Sequence, residues 1–206
     1  MEAMLPGLII ICILLLSFVY WCVDEKKGMY AGTITVISFW VFFLLRYLGI
    51  HFPVSVAGGI LFAVYFTVGK RIEALFAEGG LRAGMIASAA LSFAMILYRP
   101  SVTLLIPGSM IFGLGAGYSL CKYYFRFSAS AFSGRAGTAK FLIMLARFLT
   151  GIAILIFLYL ASERIMGGMD NSGNFQLYFF LRYVLLALWI SAGAPWLFRL
   201  LHLAGD

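Results

Sequence analysis

Charge is scarce in this chain. Only 11% of its 206 residues are Asp, Glu, Lys or Arg, against 64% hydrophobic, and the mean hydropathy is +1.03. No soluble domain of this size has a core large enough to hide so much apolar surface, so lipid must cover the excess. Histidine is scarcer still, with His51 and His202 alone. Cys12, Cys22 and Cys121 stand apart, without the paired spacing of a metal site or a redox couple. No metal ligand set and no cofactor is therefore expected. Period-2 alternation is absent, which argues against barrel strands. Internal repeats and a separate soluble domain are absent too. The net charge of +7 comes without a basic run interleaved with aromatics. A nucleic-acid partner is thus not expected, and basic loops on an inner membrane face account for the sign. Met1-Glu2-Ala3-Met4 lacks the positive start of a signal peptide, so the first apolar run is expected to be retained.

Long apolar runs are what the chain has in plenty. Seven approach or exceed the roughly 20 helical residues that span a hydrocarbon core: 6–23, 29–50, 54–69, 83–98, 103–123, 141–161 and 177–201. The third and fourth are short, as tilted elements bordering a cavity would be. The expected fold is all-α, a polytopic bundle of about seven transmembrane helices forming a single membrane domain. Within it, 1–125 is expected as a helical core, 126–140 as a cytoplasmic loop and 141–206 as a C-terminal helical pair.

Basic residues orient the bundle. With seven spans, one side collects Lys26, Lys27, Lys70, Arg71, Arg82, Lys122, Arg126, Arg135, Lys140 and Arg199. The other side receives Glu2, the 51–53 and 99–101 connections, and the segment with Glu163, Arg164 and Asp170. Positive charge near span ends favours the cytoplasm. The N-terminus is therefore expected outside and the C-terminus inside.

The stretch "LYRPSVTLLIPGSMIFG", residues 97–113, places an arginine, a proline and two serines between two apolar runs. Arg99 and Ser101 fall on the outer side together with His51, Pro53 and Ser55, and Arg46 lies about one turn inside the outer end of its span. This organisation resembles the type-2 phosphatidic acid phosphatase superfamily. Enzymes of that family carry Lys-x6-Arg-Pro, then Pro-Ser-Gly-His, then Ser-Arg-x5-His-x3-Asp with a trailing glycine. Arg99 matches the third motif's arginine, Pro107 its proline and Gly113 its glycine. Leu105, however, stands at the nucleophilic histidine, Ser109 at its aspartate and Tyr98 at its serine. "FPVSVAGG", residues 52–59, sits where the second motif belongs but has no histidine. Leu44 or Leu45 occupies the region of the first motif's lysine. "SFVYWCVDEKKGMYAG" (17–32) and "RYVLLALWISAGAPWLF" (182–198) resemble segments of bacterial members with extra C-terminal spans, which implies a bacterial cytoplasmic (inner) membrane. The family's enzymes begin inside. Omitting their first helix would place the N-terminus outside and keep the motif remnants outside, as charge counting does.

The resemblance implies phosphoester cleavage through a histidine nucleophile oriented by an aspartate, with a second histidine as general acid. The topology puts His51 and His202 on opposite faces, and neither outer connection carries a carboxylate. The expected protein is therefore a pseudoenzyme of this family. Arg99, Arg46, His51, Ser55 and Ser101 are its candidates for binding a lipid phosphate, because a guanidinium clasps phosphate oxygens bidentately and hydroxyls add hydrogen bonds. Plainer roles compete for each: headgroup snorkelling for Arg46, helix capping for Arg99, an interfacial position for His51, and bonds to their own helices for the serines. Ser109, Gly113 and Gly117 recur every four residues, a spacing that lets helices approach closely, within the bundle or in a homo-oligomer. Arg147 is expected to snorkel inward, and Arg182 to join the outer cluster or meet Glu163. Membrane lipid is the expected partner. A membrane-protein partner, an active phosphatase with a rebuilt site and a small lipid transporter or flippase stay open as alternatives.

Overall fold

The computed structural model describes residues 4–50, 59, 63, 81–98, 102–125, 127–129, 137–166 and 175–204. Within these the chain is a helical bundle of six rods, without strands. The α1 helix, Met4–Phe18, continues as a π-helical turn, Val19–Val23. Then come α2, Glu25–Tyr47, and α3, Leu81–Tyr98. The α4 helix, Val102–Leu120, also ends in a π turn, Cys121–Phe125. The α5 helix is Gly137–Met166. The α6 helix, Phe175–Leu188, runs through a third π turn, Trp189–Gly193, into α7, Ala194–Leu200. Four segments are long and apolar enough to cross a membrane: Glu25–Tyr47, Leu104–Phe125, Thr138–Ile165 and Gln176–Leu200. Ile10–Val23 and Gly84–Leu97 are shorter apolar helices. Of the expected span over 54–69, only residues 59 and 63 are described.

Local chemistry sets the helix ends. Asp24 adopts an extended backbone and its carboxylate accepts from the amides of Lys26 (2.9 Å) and Lys27 (3.0 Å), which starts α2 directly after the first π turn. Glu25 adds negative charge in the first turn, where the helix dipole favours it. At the far end Gly49 takes φ +83°. Its amide bonds to the Arg46 carbonyl, and that of Ile50 to the Leu45 carbonyl, the paired bonds of a Schellman cap. His202 closes α7 in the same way at φ 54°, with the Leu203 amide on the Phe198 carbonyl at 2.8 Å. That turn aims the Leu203 carbonyl back into the bundle.

The centre of the bundle is α4, which packs most extensively on α3 and α6 and then on α2. Small residues permit this. A Cβ added at Gly113 would meet the Ala187 side chain and the Val184 carbonyl at 2.6 Å, and one at Gly117 would strike Ser191. A Cβ at Gly108 would come within 2.9 Å of Ile96 of α3. Without a hydrophobic drive between helices in lipid, such close backbone approach is what gives van der Waals contact its reach. Pro107 is fully buried inside α4. It removes one backbone donor, and a packed membrane bundle tolerates this.

Candidate functional site

Of the outer residues expected to hold a lipid phosphate, His51, Ser55, Arg99 and Ser101 lie outside the described residues. Arg46 is described: it is exposed in the last turn of α2, where a cation complements the carbonyl end of the helix. Leu105 and Ser109, which the motif resemblance sets against the family's nucleophile and carboxylate, are both in the packed interior. The Ser109 hydroxyl donates to the Leu105 carbonyl at 2.6 Å, so its hydrogen bond is made within its own helix. Among the described residues, no group of three or more His, Cys, Asp or Glu side chains is placed to hold a metal ion.

The most elaborate polar site lies instead at the end of the bundle where α1 turns into α2. The expected snorkelling of Arg147 is overturned, because the residue is 1% exposed and turned inward. Its Nε and Nη2 donate to the Leu203 carbonyl at 2.9 and 2.7 Å. Its Nη1 donates to the carbonyls of Trp21 (3.0 Å) and Ala129 (3.1 Å). The guanidinium also stands 5.2 Å from the centre of the Phe127 ring. One side chain of α5 thus ties together the π turn after α1, the segment following α4 and the chain after α7. A planar fork with five donors suits three carbonyls approaching from different directions, which a lysine cannot serve in the same plane.

Neighbouring groups complete this junction. The Glu25 carboxylate accepts from the Ala129 amide at 2.9 Å, and Arg199 donates to the Phe125 carbonyl at 3.1 Å. The Tyr20 hydroxyl and the Trp21 indole reach the Ser191 and Ile190 carbonyls at 2.7 and 2.8 Å. Both acceptors lie in the π turn of the α6 rod, so two π turns meet through side-chain bonds. The Trp21 ring lies against Gly151 and edge-on to Phe198 at 5.8 Å. A sequence clue to this hub did exist. Trp21 and Arg147 are both large groups with polar tips inside apolar runs, and such groups in a membrane ordinarily find partners in the bundle.

Towards the other end of α5, Arg182 of α6 meets Glu163 at 3.9 Å, one of the two roles the sequence suggests for it. The guanidinium is also 4.4 Å from the Tyr159 ring centre and 3.5 Å from that residue's carbonyl. The arrangement ties α5 to α6 at this end of the pair.

No curated protein matches this chain, and no solved structure does. Residues 107–206 match the family model described as PAP2 superfamily phosphatase, transmembrane extension. The matched region begins at Pro107 inside α4 and takes in α5, α6 and α7, including Arg147 and the Leu203 carbonyl that it binds. The match supports membership of the PAP2 superfamily, the type-2 phosphatidic acid phosphatases that the chain's motifs resemble, and with the long apolar helices it marks an integral membrane protein.

Proposed function

We propose that the protein is a non-catalytic member of its superfamily, sitting in a bacterial cytoplasmic membrane and binding a lipid phosphate at its outer face. The observation that carries this reading is the fate of two positions in the third motif. Leu105 is buried in α4, and Ser109 is buried with its hydroxyl spent on the Leu105 carbonyl. A nucleophile must present its lone pair to substrate, with a base or carboxylate in reach to orient it. Arg99 keeps the motif's anion-binding charge beside these replacements, and Arg46 adds a second guanidinium at the end of α2.

A second reading, a scaffold or subunit in a membrane complex, draws on two observations. The family match is to the transmembrane extension rather than to a phosphatase core. In addition, α5 exposes Phe141, Leu142, Leu149, Phe157 and Leu160 along much of its length.

Binding of a short-chain phosphatidate to the purified protein tests the first reading. Arg99→Ala should weaken it about tenfold or more, since a hydrogen bond to a charged group contributes roughly 1.5–3 kcal/mol. Release of phosphate should be undetectable before and after the change. Hydrolysis by the unmodified protein, abolished in Arg99→Ala, would overturn the non-catalytic assignment. The outward placement is checked separately by single cysteines in a cysteine-free background. A membrane-impermeant maleimide added to whole cells should label Ser101→Cys and spare Ser133→Cys, and the reverse pattern removes the outer site.

A further inference from the structure

An elongated cleft of about 80 Å³ lies between α1, α2 and α4. Ser17 and Tyr20 line it from the α1 rod, Gly32 and Phe43 from α2, and Pro107 and Met110 from α4. Among the described residues no charged side chain lines it. Its wall on α2 runs from Gly28 to Phe43, a length of about 22 Å at the rise of an α-helix.

Two features of this cleft have no explanation in the packing of the bundle. Gly32 is buried within α2, yet a Cβ added there would meet nothing within 4 Å among the described residues. Gly28, Gly113, Gly117 and Gly151, by contrast, are each pressed against a neighbouring element. Glycine is a poor helix former, and at position 32 it gains no close contact in return; it holds space open. The second feature is Ser17, which is 1% exposed and whose hydroxyl has no hydrogen-bond partner among the described residues. Thr33, Ser38, Ser109 and Ser191, equally buried, each donate to the carbonyl four residues back. A buried hydroxyl left unbonded is costly. The cleft therefore requires an apolar body in front of Gly32 and an oxygen beside Ser17.

The dimensions exclude several occupants. A water molecule needs two to four polar partners, and this lining offers chiefly one. A partner helix is roughly 10–12 Å across with its side chains, far too wide. A hydrocarbon chain from the surrounding bilayer fits both the shape and the polarity. Ser17 lies towards the end that carries Tyr20 and Gly28, while Phe39 and Phe43 line the other. We propose that the cleft holds one acyl chain of a membrane glycerolipid, with its ester carbonyl accepting a hydrogen bond from Ser17. The chain lies along Gly32 towards Phe43. This site is independent of the headgroup contact assigned to Arg99.

Native mass spectrometry of the delipidated full-length protein tests the proposal, with dioleoyl phosphatidylglycerol and its diether analogue as probes. The unmodified protein should retain one diester molecule and prefer it over the diether by about threefold to tenfold, the value of one hydrogen bond. Ser17→Ala should bind both lipids alike, at the level of the diether. Gly32→Phe fills the cleft and should lower retention of both at least tenfold while circular dichroism stays unchanged. The proposal is overturned if the unmodified protein retains neither lipid or does not distinguish them. It is equally overturned if a folded Gly32→Phe retains lipid as before. Arg99→Ala should keep the ester preference, so failure at the headgroup site and failure at the cleft are read separately.

Discussion

The α4 and α5 helices are both long and apolar enough to span a membrane, and they are used in opposite ways. In α4, 78% of the most apolar stretch is buried inside the molecule; in α5 the share is 11%, although α5 is the more hydrophobic of the two. In water the more hydrophobic helix would go to the centre. In lipid the hydrocarbon outside is as apolar as any core, so hydrophobicity gives no direction. What draws α4 inward is small residues that admit other backbones: Gly108, Gly113 and Gly117. What holds α5 to the bundle is largely polar and aromatic: Arg147 at one end, Arg182 reaching it from α6 at the other, and Trp21 and Trp189 bonded or packed at Gly151 between them. One helix is fixed by contact along its length, the other at a few points.

If that contrast is right, the largest single effect should come from a residue on the less buried helix. Arg147→Leu removes the donor to the carbonyls of Trp21, Ala129 and Leu203 at once. Leaving buried acceptors unbonded costs roughly 1–3 kcal/mol each. We expect loss of folded protein in mild detergent, or a thermal transition too low to measure at room temperature. Arg147→Lys keeps the charge without the fork and should fall between Leu and the unmodified residue. A normal transition in Arg147→Leu would mean that α5 is held by its apolar surface after all.

A smaller loss is expected on α4. Gly113→Leu drives a branched side chain into Ala187 and the Val184 carbonyl, and overpacking of this kind costs about 1–3 kcal/mol or more. The matching control on α5 is Leu149→Ala. Leu149 is 57% exposed, and its truncation should change the transition by less than about 0.5 kcal/mol. Equal effects at the two positions would erase the distinction between the helices.

Much of this architecture can be read from the sequence, for a simple reason. Lipid demands long apolar runs, and those runs announce themselves. The helical class and the candidate partner of Arg182 follow from residue types and spacing, and the superfamily from the resemblance of its motifs. The role of Arg147 does not, because everything it binds is a backbone carbonyl. A carbonyl is present at every residue and leaves no trace in the sequence. Its acceptors sit at positions 21, 129 and 203, so only the fold reveals that they converge. The π turns are hidden for a related reason: Tyr20, Trp21 and Trp189 look like ordinary interfacial aromatics until the facing carbonyls are placed. Glycine shows the same limit. The four-residue recurrence at 109, 113 and 117 is visible, whereas Ala187 and Ser191, the surfaces opposite Gly113 and Gly117, are not. Nor can the sequence separate the pressed Gly28 from the open Gly32, one turn apart on the same helix.

The smallest effect should come from the second attachment of α5, and it sharpens the comparison between its two ends. Glu163 is 60% exposed and stands 3.9 Å from Arg182, whose own side chain is 8% exposed. An ion pair with one partner so open to solvent contributes about 0–1 kcal/mol. Arg182 meanwhile keeps the Tyr159 carbonyl at 3.5 Å and lies over the rings of Tyr159 and Tyr183 at 4.4 and 5.9 Å. Removing the carboxylate therefore leaves the guanidinium with most of its surroundings intact. Glu163→Gln should lower stability by no more than about 0.5 kcal/mol, and raising the salt concentration should lessen even that difference. Tyr159→Ala should cost more, because it withdraws the ring from the nearly buried cation. The measurement is thermal unfolding of the three proteins in one detergent at low and high salt. A large, salt-sensitive loss in Glu163→Gln would show that α5 is pinned at this end by charge, as firmly as Arg147 pins the other.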